Sequence, residues 1–230
     1  MRILFAVLSF VGLLQTTYAA AQDGPVVIEL YTSQGCSACP PADAMLQDLA
    51  KRDDVIALAL HVDYWDYIGW KDIFASPAFT ARQQAYARAA NATTVYTPQM
   101  VVNGVDRLVG SRSMQVMDAL QNHSRKGNLF DVQLTRSDGR VTINADPGPR
   151  GEYVVQLVRY TPEETVAIQR GENAGRNLSY ANIVTSWDVI GRWDGQSALA
   201  LEAGIEGDSP VVVIVQQSTS GPIVGAAQLR

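Results

Sequence analysis

The sequence predicts an α/β unit over residues 22–127, followed by an all-β antiparallel sandwich-like domain over residues 128–230. In the first part, short apolar runs typical of buried strands alternate with helical patterns. In the second part, short strand candidates follow one another between turn signals, with little helix. The composition changes after Lys126-Gly127, and the boundary between the two parts is placed there.

The first part has the order strand, cysteine loop, helix, strand, and continues with two further helices around a hairpin. An Asn-Gly pair predicts the hairpin turn. In the last helix, Met114, Met117 and Leu120 are expected to share one face. The predicted elements are strands at Val26–Tyr31, Val55–Val62 and Arg107–Val109, helices at Pro40–Lys51, Ala78–Ala92 and Ser113–Ser124, and a strand that ends at Asn103-Gly104.

The second part holds eight strand candidates. They lie between turns such as Ser137-Asp138-Gly139 and Asp194-Gly195, and this spacing is typical of an antiparallel sandwich. The candidates cover residues 130–136, 140–145, 152–160, 165–169, 178–187, 198–202, 211–217 and 223–227.

The first residues predict a secretory signal peptide over residues 1–21. Arg2 gives a basic start, the run from Ile3 to Leu14 is apolar, and Ala19-Ala20-Ala21 offers small residues for cleavage. The apolar run is shorter than the roughly 20 residues of a transmembrane helix. We therefore expect a periplasmic or secreted protein that begins near Gln22 and has no membrane segment, with an uncleaved anchor as the alternative.

The charge of the chain argues against a nucleic-acid partner. The net charge is −5, the pI is near 5.0, and no basic run is present. Loss of the leader removes Arg2 and no acid, which makes the net charge −6. An acidic surface of this kind commonly keeps an exported protein soluble.

The two cysteines, Cys36 and Cys39, are the main functional signal. A disulfide that closes so short a loop constrains the unfolded chain very little, so the pair is better explained by chemistry than by stability. A Cys-x-x-Cys pair between a strand and a helix is typical of redox motifs. Cys36 is expected to attack a substrate disulfide and Cys39 to resolve the mixed disulfide. A purely structural pair is the alternative.

Two consecutive prolines follow the cysteine pair. Each proline lacks an amide donor and disfavours helical geometry in the residue before it. The regular helix is therefore expected to start at Pro40 or Pro41, so that Cys36 is not a simple N-cap. How far the pKa of the Cys36 thiol falls stays open.

A Thr-Pro pair after these elements supports the same interpretation. The order of strand, Cys-x-x-Cys, helix, then Thr97-Pro98, strand and Asn-Gly turn resembles the thioredoxin superfamily. The resemblance implies that Pro98 is a cis proline beside the cysteines and that Thr97 offers backbone hydrogen bonds to an extended substrate. An ordinary trans Thr-Pro turn is the alternative, because cis bonds are a minority even before proline.

A closer resemblance rests on longer motifs. Gly35-Cys-Ser-Ala-Cys-Pro-Pro-Ala-Asp43, His61-Val-Asp-Tyr-Trp-Asp66, Gly69-Trp-Lys-Asp72, Thr97-Pro-Gln-Met100 and Gly175-Arg-Asn-Leu178 resemble a bacterial family of exported thioredoxin-like proteins of unknown function. This resemblance covers most of the mature chain. It implies a thioredoxin-like fold with a β-rich C-terminal part and supplies no substrate.

Several polar residues are candidates for proton transfer. His61, at the end of the second predicted strand, is a candidate proton shuttle or metal ligand, and the alternative is a buried hydrogen-bonded histidine. Asp63 and Asp66 are candidate bases, because a nearby carboxylate assists proton transfer to a thiol. Acids at such positions also commonly cap helices or hold loops.

Trp65 belongs to a cluster of aromatic residues. Together with Tyr64, Tyr67 and Trp70 it forms either an apolar rim for an extended peptide or the filling between the two predicted parts. The segment from Asn173 to Leu178 is either a hairpin turn or a loop that returns to the cysteines.

These observations favour an exported thiol-disulfide oxidoreductase that acts on protein or small-molecule disulfides and is restored by a redox partner. No cofactor is predicted. One alternative is a copper-binding or copper-delivery protein in which Cys36, Cys39 and His61 are the ligands, since thiolates suit Cu(I). Another is a non-catalytic binding module. The direction of the redox reaction and the oligomeric state do not follow from the sequence.

Overall fold

The computed structural model describes residues 24–230. The predicted signal peptide and the expected mature start at Gln22 lie outside this range. The strands are β1 (Val26–Thr32), β2 (Val55–His61), β3 (Gln99–Val102), β4 (Asp106–Val109), β5 (Val132–Ser137), β6 (Arg140–Ala145), β7 (Tyr153–Ala167), β8 (Asn177–Trp193), β9 (Leu199–Gly204), β10 (Val211–Gln217) and β11 (Ile223–Leu229). The helices are α1 (Pro40–Leu49), α2 (Pro77–Ala89), α3 (Ser113–Lys126) and a 3₁₀ turn (Asp66–Ile68). Over these residues, no helix is long and apolar enough to cross a membrane.

One mixed sheet organises most of the chain. Its eight strands have the order β11-β10-β7-β8-β2-β1-β3-β4, and β5, β6 and β9 form a second sheet. The two halves of the large sheet meet where β2 and β8 run parallel and Ala59 pairs with Ile183. Asn182, at φ 49°, adds a hydrogen bond from its Nδ2 to the carbonyl oxygen of Ala57 at 2.8 Å.

The predicted fold class, an α/β thioredoxin-like domain followed by an all-β sandwich-like domain, is wrong. The molecule is mostly β over the described residues, and β1–β4 share their sheet with β7, β8, β10 and β11. The reason is the length of β7 and β8, which span 15 and 17 residues, whereas the sequence pattern predicted shorter pieces. β8 is long enough to pair with β7 and still reach β2. The division of the chain at residues 127 and 128 into two domains remains a prediction.

β1 lies at the centre of the first half and is buried on both faces. Val27 and Tyr31 face the core that α2 covers, and Ile28 and Leu30 face the core that α1 and α3 cover. This is the alternation expected of a strand between two layers, and it explains why the sequence shows a continuous apolar run. The chain leaves this central strand directly into the cysteine loop.

A buried ion pair connects the two halves of the sheet. Glu29 of β1 accepts from Nε and Nη2 of Arg82 in α2 at 2.7 and 2.9 Å. The same guanidinium donates to Oε1 of Gln216 in β10 and lies 3.8 Å from the ring centroid of Trp187 in β8. The network therefore fixes α2 against strands that come from both ends of the sequence.

The three-stranded sheet packs against the far end of the large sheet. Phe130, Tyr153 and Trp193 form an aromatic cluster there, with ring centroids 4.5–5.8 Å apart. On the side of the large sheet, this core is formed by β7, β10 and β11. These strands lie in the other half of the sheet from β1, which leads into the cysteine loop.

Candidate redox site

The two cysteines form a disulfide in the loop between β1 and α1. Their Sγ atoms lie 2.10 Å apart and their Cα atoms 5.4 Å apart. Cys36 is 1% exposed and Cys39 is fully buried. The bond is therefore shielded from solvent, although the two residues between the cysteines are exposed.

The helix after the cysteines begins at Pro40, as predicted from the two prolines, and Cys39 is its N-cap residue. The amide of Cys39 donates to the carbonyl oxygen of Cys36 at 3.2 Å, and the amide of Cys36 donates to Ser33 at 3.1 Å. Because the helix dipole acts mainly within the first turn, it favours negative charge at Cys39 more than at Cys36.

The Thr97-Pro98 peptide bond is cis, which confirms the prediction for Pro98. The amide of Gly110 donates to the carbonyl oxygen of Pro98 at 2.9 Å. A Cβ atom at Gly110 would lie 3.1 Å from the Cβ atoms of both Pro98 and Ala42. Pro98 therefore lies beside the first turn of α1, close to the cysteine loop.

Trp65 joins this group through a hydrogen bond. Its Nε1 donates to Oγ1 of Thr97 at 2.7 Å. A Cβ atom at Gly35, the residue before Cys36, would lie 3.3 Å from Cβ of Trp65. The three predicted substrate-binding residues thus lie together beside the cysteine loop, and their role in binding remains a prediction.

His61 is fully buried and held by Asp72. The distance between Nδ1 of His61 and Oδ2 of Asp72 is 2.7 Å. Asp72 also accepts from the amides of Gln34 at 2.8 Å and Phe74 at 2.9 Å, and this arrangement favours the tautomer of His61 in which Nδ1 donates to Asp72. This contact fits the alternative of a buried hydrogen-bonded histidine. Nε2 of His61 has no partner among the described protein atoms, and its use in proton transfer remains a prediction.

Asp63 and Asp66 hold loops in this structure. Oδ1 of Asp63 accepts from Oγ1 of Thr80 in α2 at 2.6 Å. Oδ1 of Asp66 accepts from the amide of Asp72 at 3.1 Å. Asp63 therefore contacts α2, and Asp66 contacts the segment after β2. A catalytic role for Asp63 or Asp66 remains a prediction.

Asp43 is the buried acid that the sequence reasoning missed. It lies one helical turn after Cys39 on α1, and its amide donates to the carbonyl oxygen of Cys39 at 3.1 Å. Burial raises the pKa of Asp43 to about 7, although the hydrogen bond from Oγ1 of Thr32 at 2.7 Å opposes the shift. The signal that could have found it was the spacing, since residues four apart lie on one face of a helix.

The turn between β7 and β8 reaches the cysteine loop. Nδ2 of Asn173 donates to the carbonyl oxygens of Gln34 at 2.9 Å and Cys36 at 3.1 Å. Oε2 of Glu172 accepts from Oγ of Ser37 at 2.6 Å and from its amide at 3.3 Å. The segment is therefore a hairpin turn and also the loop that returns to the cysteines, so the two alternatives describe one feature.

Comparison with known proteins identifies the family. A model of the family described as "Protein of unknown function (DUF1223)" matches residues 27–216. The chain belongs to this family. The resemblance to a family of unknown function is thereby confirmed, and the comparisons give no link to the thioredoxin superfamily. No curated protein matches the DUF1223 chain.

Two solved structures are similar to this DUF1223 chain. Protein AGR_C_4864 from Agrobacterium tumefaciens has 33% sequence identity and a TM-score of 0.79, over 91% of this chain and 96% of that chain. HBP35 of Porphyromonas gingivalis has 15% identity and a TM-score of 0.57, over 90% of this chain and 75% of that chain. At that identity, the second similarity concerns the fold alone.

The candidate copper ligands of the DUF1223 chain have other partners in this disulfide form, and the copper alternative remains a prediction. Within residues 24–230, no group of three or more His, Cys, Asp or Glu side chains is placed to hold a metal ion. Cys36 and Cys39 are bonded to each other, and His61 directs Nδ1 to Asp72.

Proposed function

We propose that this DUF1223 chain is a thiol-disulfide oxidoreductase whose redox centre is the Cys36–Cys39 pair. The observation that carries the proposal is the joining of two cysteines, only two residues apart, at the start of α1 in a chain without other cysteines. Such a short loop contributes little to stability. The bond is therefore better explained as one state of a redox cycle.

The proposed reaction is thiol-disulfide exchange. In the reducing direction, the Cys36 thiolate attacks one sulfur of a substrate disulfide, and the other substrate sulfur leaves as a thiolate. Cys39 then gives up its proton and attacks Sγ of Cys36, which releases the second substrate thiolate and forms the internal disulfide. The substrate gains two electrons and a partner dithiol restores the protein. The oxidising direction is the same sequence in reverse.

Asp43 is the group that best fits the proton transfer at Cys39. The two residues are one helical turn apart, and both are buried. A carboxyl group with a pKa of about 7 exchanges protons readily near neutral pH, which suits a general acid or base. His61 lies close enough to Asp43 that a positive charge on its ring would lower the pKa of Asp43, so it remains a second candidate.

Thr97, Pro98 and Trp65 are the proposed contacts of the substrate. Their position beside the cysteine loop supports this role, and it also supports a distant relationship to the thioredoxin superfamily. That relationship is proposed for the cysteine-bearing segment alone, because the chain has no separate thioredoxin-like domain within the described residues.

The proposed setting is the periplasm or another extracytoplasmic space. The signal-peptide pattern of the first 21 residues supports it. A disulfide also persists more readily in an oxidising compartment than in the cytosol. The proposed partners are proteins or small molecules with thiols or disulfides.

Trapping of a mixed disulfide tests the assignment of the two cysteines. Cys39→Ser should accumulate a mixed disulfide between Cys36 and a model substrate, because the resolving thiol is lost. Cys36→Ser should accumulate much less. Non-reducing gels and mass spectrometry measure both, and equal trapping by the two variants would contradict the assignment.

A further inference from the structure

The hairpin tip between β7 and β8 lies over the cysteine loop. We use the name hairpin tip for residues 168–176. Asn173 is 1% exposed and holds the backbone on both sides of Gly35 through the carbonyl oxygens of Gln34 and Cys36. The hairpin tip is thus hydrogen-bonded to the backbone of Cys36, the proposed nucleophile.

A second contact joins the hairpin tip to the residue after Cys36. Glu172 is exposed, and its carboxylate accepts both the hydroxyl and the amide of Ser37. Gly171 packs closely as well, since a Cβ atom there would lie 3.3 Å from Cβ of Trp70. Glu172 and Asn173 therefore contact the cysteine loop itself, and Gly171 packs on the segment after β2 beside that loop.

Thiol-disulfide exchange requires access to a sulfur atom. An attacking thiolate must reach the sulfur that it bonds to, and the other cysteine leaves as a thiolate. Cys36 is 1% exposed and Cys39 is buried, so the closed arrangement offers no approach. Part of the surroundings must move before exchange begins.

We propose that the hairpin tip is a cover over Cys36, and that Glu172 and Asn173 are positioning residues that hold it closed. This inference rests on the proposed function. It assigns the second half of the chain a task at the redox site, because a substrate must displace the hairpin tip to reach Cys36. The negative charge of Glu172, bonded to the residue next to Cys36, also repels an incoming thiolate.

The rate of disulfide reduction by an excess of dithiothreitol tests the cover. Glu172→Ala and Asn173→Ala should each react faster than the wild-type protein. The expected gain is roughly tenfold for Asn173→Ala, because this substitution removes the two hydrogen bonds of ordinary strength from Asn173 to the cysteine loop, besides one from Arg176 within the hairpin tip. Glu172→Gln should give a smaller gain, because it keeps an acceptor for Ser37 and removes only the charge.

Gln169→Ala is the matched control. Gln169 lies in the same hairpin tip, is exposed, and donates only to the carbonyl oxygen of Ala167. Its reaction rate should stay within about twofold of the wild-type rate, as expected for a surface substitution. Melting temperatures show whether each variant is folded, and the exposed position of Glu172 provides a folded variant if Asn173→Ala is unstable.

Equal rates for the wild-type protein, Glu172→Ala and Asn173→Ala would overturn the cover. An excess of strong reductant opens the disulfide whatever its physiological role, so these rates test the cover independently. The proposed function fails separately, if neither cysteine variant forms a mixed disulfide.

Discussion

Asp43 shows how one buried side chain links the chemistry of the site to the stability of the fold. Burial on α1 disfavours its charged form, and among residues 24–230 Thr32 alone donates a side-chain hydrogen bond to it. The same environment that makes the carboxyl group a useful proton acceptor near neutral pH also makes its ionised form costly. This conflict is common at functional sites.

The pH dependence of unfolding should reveal this cost. The pKa of the Asp43 carboxyl is near 3.8 in the unfolded chain and about 7 in the folded protein, so the folded state binds more protons between these values. The stabilisation from the protonated Asp43 carboxyl is complete below about pH 4 and is lost as the pH rises to about 7. Over this range the free energy of unfolding falls with a slope that approaches about 1.4 kcal/mol per pH unit. Asp43→Asn should lose this slope and gain stability relative to the wild type as the pH rises.

Urea unfolding at a series of pH values measures the effect. The side-chain amide that Asp43→Asn introduces would still offer an acceptor to Thr32, so the hydrogen bond is kept. Asp48→Asn is the control, because Asp48 is an exposed acid of the same helix. Its curve should run parallel to that of the wild type, and a parallel curve for Asp43→Asn would show that the buried carboxyl does not titrate in this range.

The residues of the site differ in how well the sequence predicts them. Cys36, Cys39 and Pro98 carry local signals. The spacing of the two cysteines and the Thr-Pro pair are both visible in the sequence. Asp43 is one acid among many until the buried face of α1 is known. Asn173 contacts Gln34, 139 positions away, and no local pattern indicates such a contact.

At the scale of the element, helix α2 depends on a buried ion pair. The guanidinium of Arg82 lies among Glu29, Tyr86 and Trp187. Burial lowers its pKa, but Glu29, Tyr86 and Tyr31 together outweigh this and hold the pKa of Arg82 above its ordinary value. Arg82 therefore stays charged, and the ion pair links α2 to β1.

Loss of one partner of this pair should destabilise the protein strongly. Arg82→Met keeps most of the volume and leaves Glu29 buried without its cation, which should cost about 3–5 kcal/mol in the free energy of unfolding. The double variant Glu29→Gln with Arg82→Met should recover part of the loss. Lys51→Met, which breaks an exposed pair with Asp48, should change stability by less than about 0.5 kcal/mol. Equal values for Arg82→Met and Lys51→Met in urea unfolding would contradict this account.

The elements themselves were largely predictable from local patterns. The bounds of β6 and β10 agree with the sequence prediction, and Asn103 and Gly104 both have positive φ in the predicted turn. The prediction of which residues of α3 share one face was wrong in part. Leu120 is buried as predicted, but Met114 and Met117 are exposed, and Val116 and Ala119 are buried in their place because the small and branched side chains of α3 face the sheet.

At the scale of the whole molecule, the large sheet joins the two ends of the sequence. The parallel contact between β2 and β8 rests on one paired position, Ala59 with Ile183, and on the Asn182 side chain. A single pairing leaves no periodic signal in the sequence. The prediction of two separate folds therefore failed at this seam, although most strands on each side were recognised.

A continuous sheet with shared cores should unfold as one unit. Hydrogen exchange followed by mass spectrometry should give the same free energy of opening for β1 and β10, because both contribute to the core beneath α2. The predicted domain boundary near residue 128 is tested by the same experiment. Two distinct opening free energies would favour two independent domains.

The central claim is that the Cys36–Cys39 bond is a redox centre, and its reduction potential tests this most directly. The purified protein is equilibrated in glutathione buffers, and its thiols are counted by mass tagging. The account predicts a reversible two-electron transition between about −270 and −120 mV, the range of known oxidoreductases. A disulfide that stays closed below about −300 mV would mean a structural bond and would contradict the account.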